Sequence, residues 1–266
     1  MTRLLADVRE MALEQVQYRE LLLRMTMRDL LLRYKQTVLG FGWAIFMPLV
    51  NTAVFSVIFT RVAPIDTGVP YPLFAYCGLL TWNFFASSMR FAVSSLTSNG
   101  SLVTKIYFPR EIFPFSAVLV CLVDFLVASP VLLALMAYYR VWHWETLWFL
   151  PVVLLVHVAF TMGVALCLAM ANLFYRDVKY LFEIVLTIWM FATSVVYPAN
   201  LIGGRLGLLL ALNPLTPIID AYRAVLLHGQ LPPASPFWGA TIASLIILAV
   251  GWLLFHRAEF RFAENI

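Results

Sequence analysis

Residues 112–139 read IFPFSAVLVCLVDFLVASPVLLALMAYY, an apolar run whose single charge is Asp124. A helix rises about 1.5 Å per residue and a bilayer core is about 30 Å thick, so about 20 such residues suffice to cross it. Ile112–Tyr139 therefore reads as a transmembrane helix. Five further stretches are long enough, or nearly so: Val38–Thr60, Pro72–Met89, Leu147–Asn172, Tyr180–Tyr197 and Phe237–Phe255. Composition agrees, with 62% apolar and only 12% charged residues in 266. The expected fold is an all-α integral membrane protein with six transmembrane helices. The whole chain, 1–266, reads as a single transmembrane domain. Residues 1–37 form a cytoplasmic interfacial segment and 38–198 spans one to five. Residues 199–236 form a re-entrant segment on the outer side, 237–256 the sixth span and 257–266 a cytoplasmic tail.

Orientation follows from the basic residues. One side carries Arg3, Arg9, Arg19, Arg24, Arg28, Arg33, Lys35, Arg90, Lys105, Arg110, Arg176, Lys179, Arg257 and Arg261. The other carries only Arg61, Arg140, Arg205 and Arg223. Cytoplasmic loops hold the excess of Lys and Arg, so both termini are expected in the cytoplasm of a bacterium, with the spans in its inner membrane. The net charge of +4 reflects this sorting, and it supports no nucleic-acid partner.

Leu206–Leu227 is nearly as apolar as the spans, yet Pro214 and Pro217 interrupt it and Asp220 and Arg223 follow. A seventh crossing there would put Arg257 and Arg261 outside. Irregular backbone survives at membrane depth only where protein or a watery cavity surrounds it. Two short re-entrant half-helices, Leu206–Leu212 and Pro217–Leu227, are expected to dip in from the outer face. A surface loop with an amphipathic helix is the alternative.

The amino-terminal segment is too charged for a signal peptide. Leu4, Leu5, Val8, Met11, Ala12 and Val16 recur at helical spacing, and Glu20→Arg24 and Asp29→Arg33 are acid-before-base pairs one turn apart. Such a helix can lie in the headgroup layer near membrane lipid, lead into the first span, or offer a docking surface. Cys77, Cys121 and Cys167 lack ligand partners at useful spacing and read as small buried residues. His157, inside the fourth span, suggests a helix–helix hydrogen bond. No phosphate-binding loop is present, so ATP has no site on this chain. Paired carboxylates on one span face, which ion-coupled carriers need, are absent too. Asp124 marks either a substrate path or a structural partner for a neighbouring helix, and Glu183, near the cytoplasmic end of its span, is expected to snorkel or to pair with Lys179 one turn away.

Three stretches then carry a resemblance. Arg33-Tyr34-Lys35-Gln36-Thr37-Val38-Leu39-Gly40, with Trp43-Ala44 and Pro48, resembles the entry to the first span of type-2 ABC exporter permeases, especially those moving polysaccharides such as O-antigen. Asn172-Leu173-Phe174-Tyr175-Arg176-Asp177-Val178 resembles that family's second cytoplasmic loop. Asn213-Pro214-Leu215-Thr216-Pro217, followed by Tyr222-Arg223, resembles the segment before its last span. They fall in family order across nearly the whole chain. The resemblance implies a homodimeric transport subunit that binds two cytoplasmic nucleotide-binding ATPase subunits, with ATP and Mg on those partners and no cofactor here. It implies a polyprenyl-pyrophosphate-linked glycan as cargo. It also makes Leu102–Phe108 a coupling helix, which places Lys105, Arg110, Arg176 and Asp177 near the ATPase. The broken segment, with Asn213, Pro214, Pro217, Asp220 and Arg223, becomes the outer gate.

Sugars pack their C–H faces on rings, so a glycan path should be aromatic and sparingly charged. Phe41, Ile45, Pro48, Thr52, Phe55 and Phe59 share one face of the first span; Phe182, Leu186, Trp189, Thr193 and Tyr197 form a similar stripe on the fifth. The candidate path residues are Phe41, Phe55, Phe59, Trp189, Thr193 and Tyr197. Interfacial and lipid-facing roles suit the same rings. Capsule polysaccharide, teichoic acid or a small drug are competing cargoes. A membrane glycosyl- or phosphotransferase is a competing class, though it would need acids clustered at one interface, and Asp66, Glu145 and Asp220 lie far apart in sequence.

Overall fold

The computed structural model of the chain describes residues 13–105, 108–198, 201 and 212–262, without the side chains of 104 and 105. Among these residues every regular element is helical. In chain order they are α1 (Arg19–Tyr34), α2 (Gly42–Val57, extended by a π turn over Ile58–Val62), α3 (Tyr71–Ser98) and α4 (Gly100–Lys105). Next come α5 (Ile112–Tyr138), a 3₁₀ segment (Trp144–Phe149) running into α6 (Leu150–Phe174), and α7 (Val178–Phe191). Last are α8 (Leu215–Arg223, with a π turn over Ala224–His228) and α9 (Ala234–Ala258, with a 3₁₀ turn over Glu259–Arg261). Residues 1–12 and the expected half-helix Leu206–Leu212, apart from its last residue, lie outside the described residues.

Among the described residues four helical stretches are long and apolar enough to cross a membrane: Gly42–Val62, Ile112–Tyr138, Trp144–Phe174 and Ala234–Arg261. The two other expected spans differ for separate reasons. Pro72–Met89 sits within α3, 28 residues long, but Asn83, Ser87, Ser88 and Arg90 dilute its apolar character. Tyr180–Tyr197 is shorter than expected, because α7 has 14 residues, about 21 Å of helix, and gives way to turns at Ala192. The backbone beyond is bonded elsewhere. The carbonyls of Ser194 and Val195 accept from the Arg223 guanidinium, and that of Val196 accepts from the Tyr71 hydroxyl at 2.8 Å.

The core sits where α3 packs against α5, α6 and α8, and α6 packs along α9. Small residues bring α6 and α9 together. A Cβ on Gly163 would stand 2.7 Å from the Leu248 backbone, and one on Gly251 would stand 2.7 Å from the Gly163 carbonyl. In a lipid solvent such close backbone packing takes over the role of hydrophobic burial. Pro130 interrupts the bonding ladder of α5, and the Ser129 hydroxyl donates to the Leu126 carbonyl that the ring leaves free. His157 is wholly buried, but the expected helix–helix hydrogen bond does not form. Both ring nitrogens lack partners, and the ring meets Phe84 edge-on at 4.9 Å.

α1 lies on α5, burying Met25 and Leu30, while Leu23, Met27 and Leu31 form an exposed apolar stripe one turn apart. That is a helix with one face on protein and another suited to lipid. Glu20–Arg24 pairs as expected, at 2.8 Å. Asp29–Arg33 does not: Asp29 takes Arg28 and the Ser116 hydroxyl, because Arg33 is drawn inward to Asp124.

Candidate functional site

A cavity of about 470 Å³ opens where the end of α1 meets the first half of α2, the second half of α3 and the first half of α5. Its charged wall is a triad. Arg33 Nη1 pairs with Asp124 at 2.6 Å, and the Tyr34 hydroxyl donates to the same carboxylate. Burial, followed by the Asp124 carboxylate at its oxygen, raises the Tyr34 phenol above its ordinary value, so it stays a donor. The Arg33 guanidinium also lies 4.3 Å from the Phe91 ring centroid. Asp124 is thus the partner of a neighbouring helix. A second cation on the wall, Arg90, pairs with Glu183 of α7 at 3.1 Å, which replaces the expected Lys179–Glu183 pair. Lys179 instead stands 4.7 Å from the Tyr180 ring.

Polar side chains complete the lining. Asn51, Asn83 and Ser87 face the cavity, and none of them hydrogen-bonds within the described residues. Trp43 and Phe84 contribute rings. The sequence reading passed over these five as site residues, because polar residues scattered over two helices converge only after packing. The signal available was Asn and Ser at membrane depth, where an unmatched amide is costly.

The expected path residues fall into two groups. Phe41 contacts Tyr34, with centroids 4.3 Å apart. Phe55 stacks on Phe59, and Phe59 packs 5.4 Å from Tyr71, so this stripe of α2 faces α3 of the same chain. Leu49, Val50, Val54 and Val57 are exposed instead. On α7 the ring of Trp189 stands edge-on to Phe85 at 5.1 Å, and its Nε1 donates to Asn213 Oδ1 at 3.0 Å. Thr193, fully buried in the turn after α7, donates to the Trp189 carbonyl and accepts from Asn213 Nδ2 at 2.8 Å. Tyr197 folds back to donate to the Phe191 carbonyl. Two of the expected path residues and one of the expected gate residues thus form a single hydrogen-bonded unit.

The rest of the expected gate is assembled around Arg223. Asn213 Oδ1 accepts from the amide of Leu215, the first residue of α8, Pro214 precedes the helix and Pro217 lies in its first turn. Arg223, 2% exposed, sits 3.6 Å over the Phe74 ring and pairs with Asp220 at 3.2 Å. Asp220 also accepts from the Ser194 hydroxyl. A Cβ on Gly78 would lie 2.2 Å from the Val195 carbonyl and 2.4 Å from Arg223, so only glycine admits this arrangement. Asp220, Arg223, Asp66 and His228 line a second cavity, of about 570 Å³. Burial and the Arg223 charge lower the His228 imidazole below its ordinary value.

At the opposite end, Arg110 is turned inward. Its guanidinium donates to the carbonyls of Glu259 and Val103, and its backbone amide donates to Glu259 Oε1 at 3.1 Å. Arg176 and Asp177 are exposed in the α6–α7 turn, whereas the Lys105 side chain lies outside the described residues. Glu111, His256 and Glu259 bring ligand-type atoms within 4.8 Å of one another. His256 already pairs with Glu111, and the Arg110 guanidinium beside Glu259 opposes a further cation there.

The chain is 34% identical over 257 residues to the O-antigen export system permease protein RfbA of Myxococcus xanthus, covering 95% of this chain and 98% of that one. It is 30% identical over 251 residues to a protein of the same name from Klebsiella pneumoniae, covering 92% and 94%. Against the polysialic acid transport protein KpsM of Escherichia coli identity is 22% over 242 residues, covering 88% and 91%. The family model described as ABC-2 type transporter matches residues 20–227, which takes in nearly all of α1, the cavity beside Asp124, the Trp189–Asn213 unit and the Arg223 cluster. The chain belongs to the ABC-2 type transporter membrane family.

Proposed function

We propose that the chain is the membrane subunit of an ATP-driven exporter that carries a lipid-linked polysaccharide of O-antigen type across a bacterial inner membrane. What carries the reading is near-full-length similarity, at 34% and 30% identity, to proteins named as O-antigen export permeases. Export of another polysaccharide is the second reading, supported by the lower similarity to the polysialic acid transport protein KpsM.

In this reading the chain makes six crossings with both termini in the cytoplasm, and α8 is the returning half of a re-entrant gate. The exposed apolar faces of α2 and α7 are covered by lipid and by a second copy of the chain. The glycan, attached to polyprenyl pyrophosphate, passes at the seam between copies, where Phe41, Trp189 and Tyr197 offer ring faces and low charge. ATP and Mg act on two partner ATPase subunits. Those subunits contact the α4 loop at Lys105 and the α6–α7 turn at Arg176 and Asp177, while Arg110 ties that loop to α9. Because a ligand shifts an equilibrium only by differential binding, ATP must favour one arrangement of the α2–α7 seam over the other.

Deleting the gene from its own bacterium should abolish long-chain surface polysaccharide and leave lipid-linked polymer inside, and a plasmid copy should restore display. Full display in the deletion strain would sink the reading.

A further inference from the structure

Asn51, Asn83 and Ser87 are polar, lie within apolar helices, face one cavity and have no protein partner among the described residues. In a bilayer each such group must be matched by water or a ligand. The charges around them are already balanced one to one. Arg33 is held by Asp124 and Arg90 by Glu183, so the wall presents little net charge to a guest. Rings stand beside the amides: Trp43 from α2, Phe84 from α3 and Tyr34 from the end of α1. Aromatic faces next to unpaired amide and hydroxyl groups, with the ions neutralised in place, suit a molecule with C–H faces and many hydroxyls. Each guanidinium already has a carboxylate partner, Arg33 through Nη1 and Arg90 through Nε, so an isolated anion gains less there than it would from an unpaired cation.

Size and position narrow the choice. At about 470 Å³ the cavity is in the range of small-molecule clefts, about 300–1,000 Å³, and cannot hold a polymer. It opens beside α1, the helix whose Leu23, Met27 and Leu31 stripe suits the headgroup layer. We propose that this cavity is a receptor for the neutral sugar unit of a lipid-linked glycan, entered from the leaflet in which α1 lies and separate from the passage at the seam between copies. The inference rests on the glycan-export reading and adds to it a recognition site within each copy. Asn51, Asn83 and Ser87 bond the sugar hydroxyls, Trp43 covers a ring face, and the Arg33–Asp124–Tyr34 triad holds α1 in place as the cavity's rim.

The test uses the full chain in lipid nanodiscs, labelled with 5-fluorotryptophan, with the Trp43 fluorine signal assigned through Trp43→Phe. Three probes share one tail: farnesyl β-D-glucoside, farnesyl pyrophosphate and farnesol. The glucoside should shift the Trp43 signal saturably while the other two leave it in place. Asn83→Leu should weaken glucoside binding about fivefold, as expected for one lost hydrogen bond, and the milder Ser87→Ala should weaken it by a smaller factor. Equal shifts with farnesol, saturation by the pyrophosphate alone, or parental affinity in both variants would overturn the assignment. Display of polysaccharide in the complemented deletion strain separates the two ideas. Display without glucoside binding removes the receptor and leaves export standing; glucoside binding without display does the reverse.

Discussion

Arg33 and Asp124 form a 2.6 Å ion pair between the last turn of α1 and the interior of α5, and the Tyr34 hydroxyl bonds the same carboxylate. Both side chains are largely shielded, at 26% and 14% exposure, so neither charge is well solvated alone. Removing one partner of such a pair costs about 3 kcal/mol, whereas removing both together can be far less damaging. Asp124→Leu and Arg33→Leu should each lower thermal stability in detergent. The double variant should recover more than half of the summed loss. Simple additivity would show that the pair does not hold α1 to the bundle.

Gly78 faces the turn that ends α7. An alanine there would meet the Val195 carbonyl at 2.2 Å and the Arg223 guanidinium at 2.4 Å, and neither has room to move because each bonds the other. Gly78→Ala should destabilise the chain by about 1–3 kcal/mol through overpacking. It should also open residues 192–197 to limited proteolysis, while Gly239→Ala, where a Cβ meets nothing within 4 Å, leaves the digestion pattern unchanged.

Hydropathy is a local property, and four of the six expected spans coincide with described helices long and apolar enough to cross a membrane; Ile112–Tyr139 ends within a residue of α5. The sequence reading failed where a distant partner decides. Nothing near Asp29 signals that Ser116 will bond it, nothing near Arg33 signals Asp124, and nothing near Ala192 signals that Arg223 and Tyr71 will take the carbonyls of residues 194–196 beyond the end of α7. The start of α8 at Leu215, directly after Pro214, was legible in the sequence. Its anchoring through Asn213 was not, since Trp189 and Thr193 meet Asn213 only after the chain turns back.

Arg110 stitches the loop after α4 to the end of α9 through the carbonyls of Val103 and Glu259. Its side chain is only 14% exposed, so its influence on a docked ATPase is exerted through the position of this loop. Arg110→Glu should therefore uncouple ATP hydrolysis from polysaccharide display in membranes containing both subunits. Adding Glu259→Arg should restore part of the coupling by reversing the pair. Arg176→Glu, on the exposed turn, should weaken co-purification of the ATPase and leave the α9 contact intact. Normal coupling in Arg110→Glu would show that the α4 loop does not depend on this tether.

The indole of Trp189 has two possible contributions, a ring face and an N–H, and the structure separates them. The N–H donates to Asn213 at 3.0 Å, and Asn213 in turn bonds Thr193, the Ala192 carbonyl and the first amide of α8. Trp189→Phe keeps a ring against Phe85 but deletes that donor, leaving the Asn213 carbonyl to the Leu215 amide alone. If Trp189 acts as a strut for the turn between α7 and α8, Trp189→Phe and Asn213→Ala should each slow polysaccharide display severalfold. The double variant should then be no worse than either single one, because both remove the same connection. Trp189→Ala should slow export at unchanged dimer yield on size exclusion. Wild-type display in Trp189→Phe, with loss only in Trp189→Ala, would assign the residue to ring contact with the cargo and remove it from the support of α8.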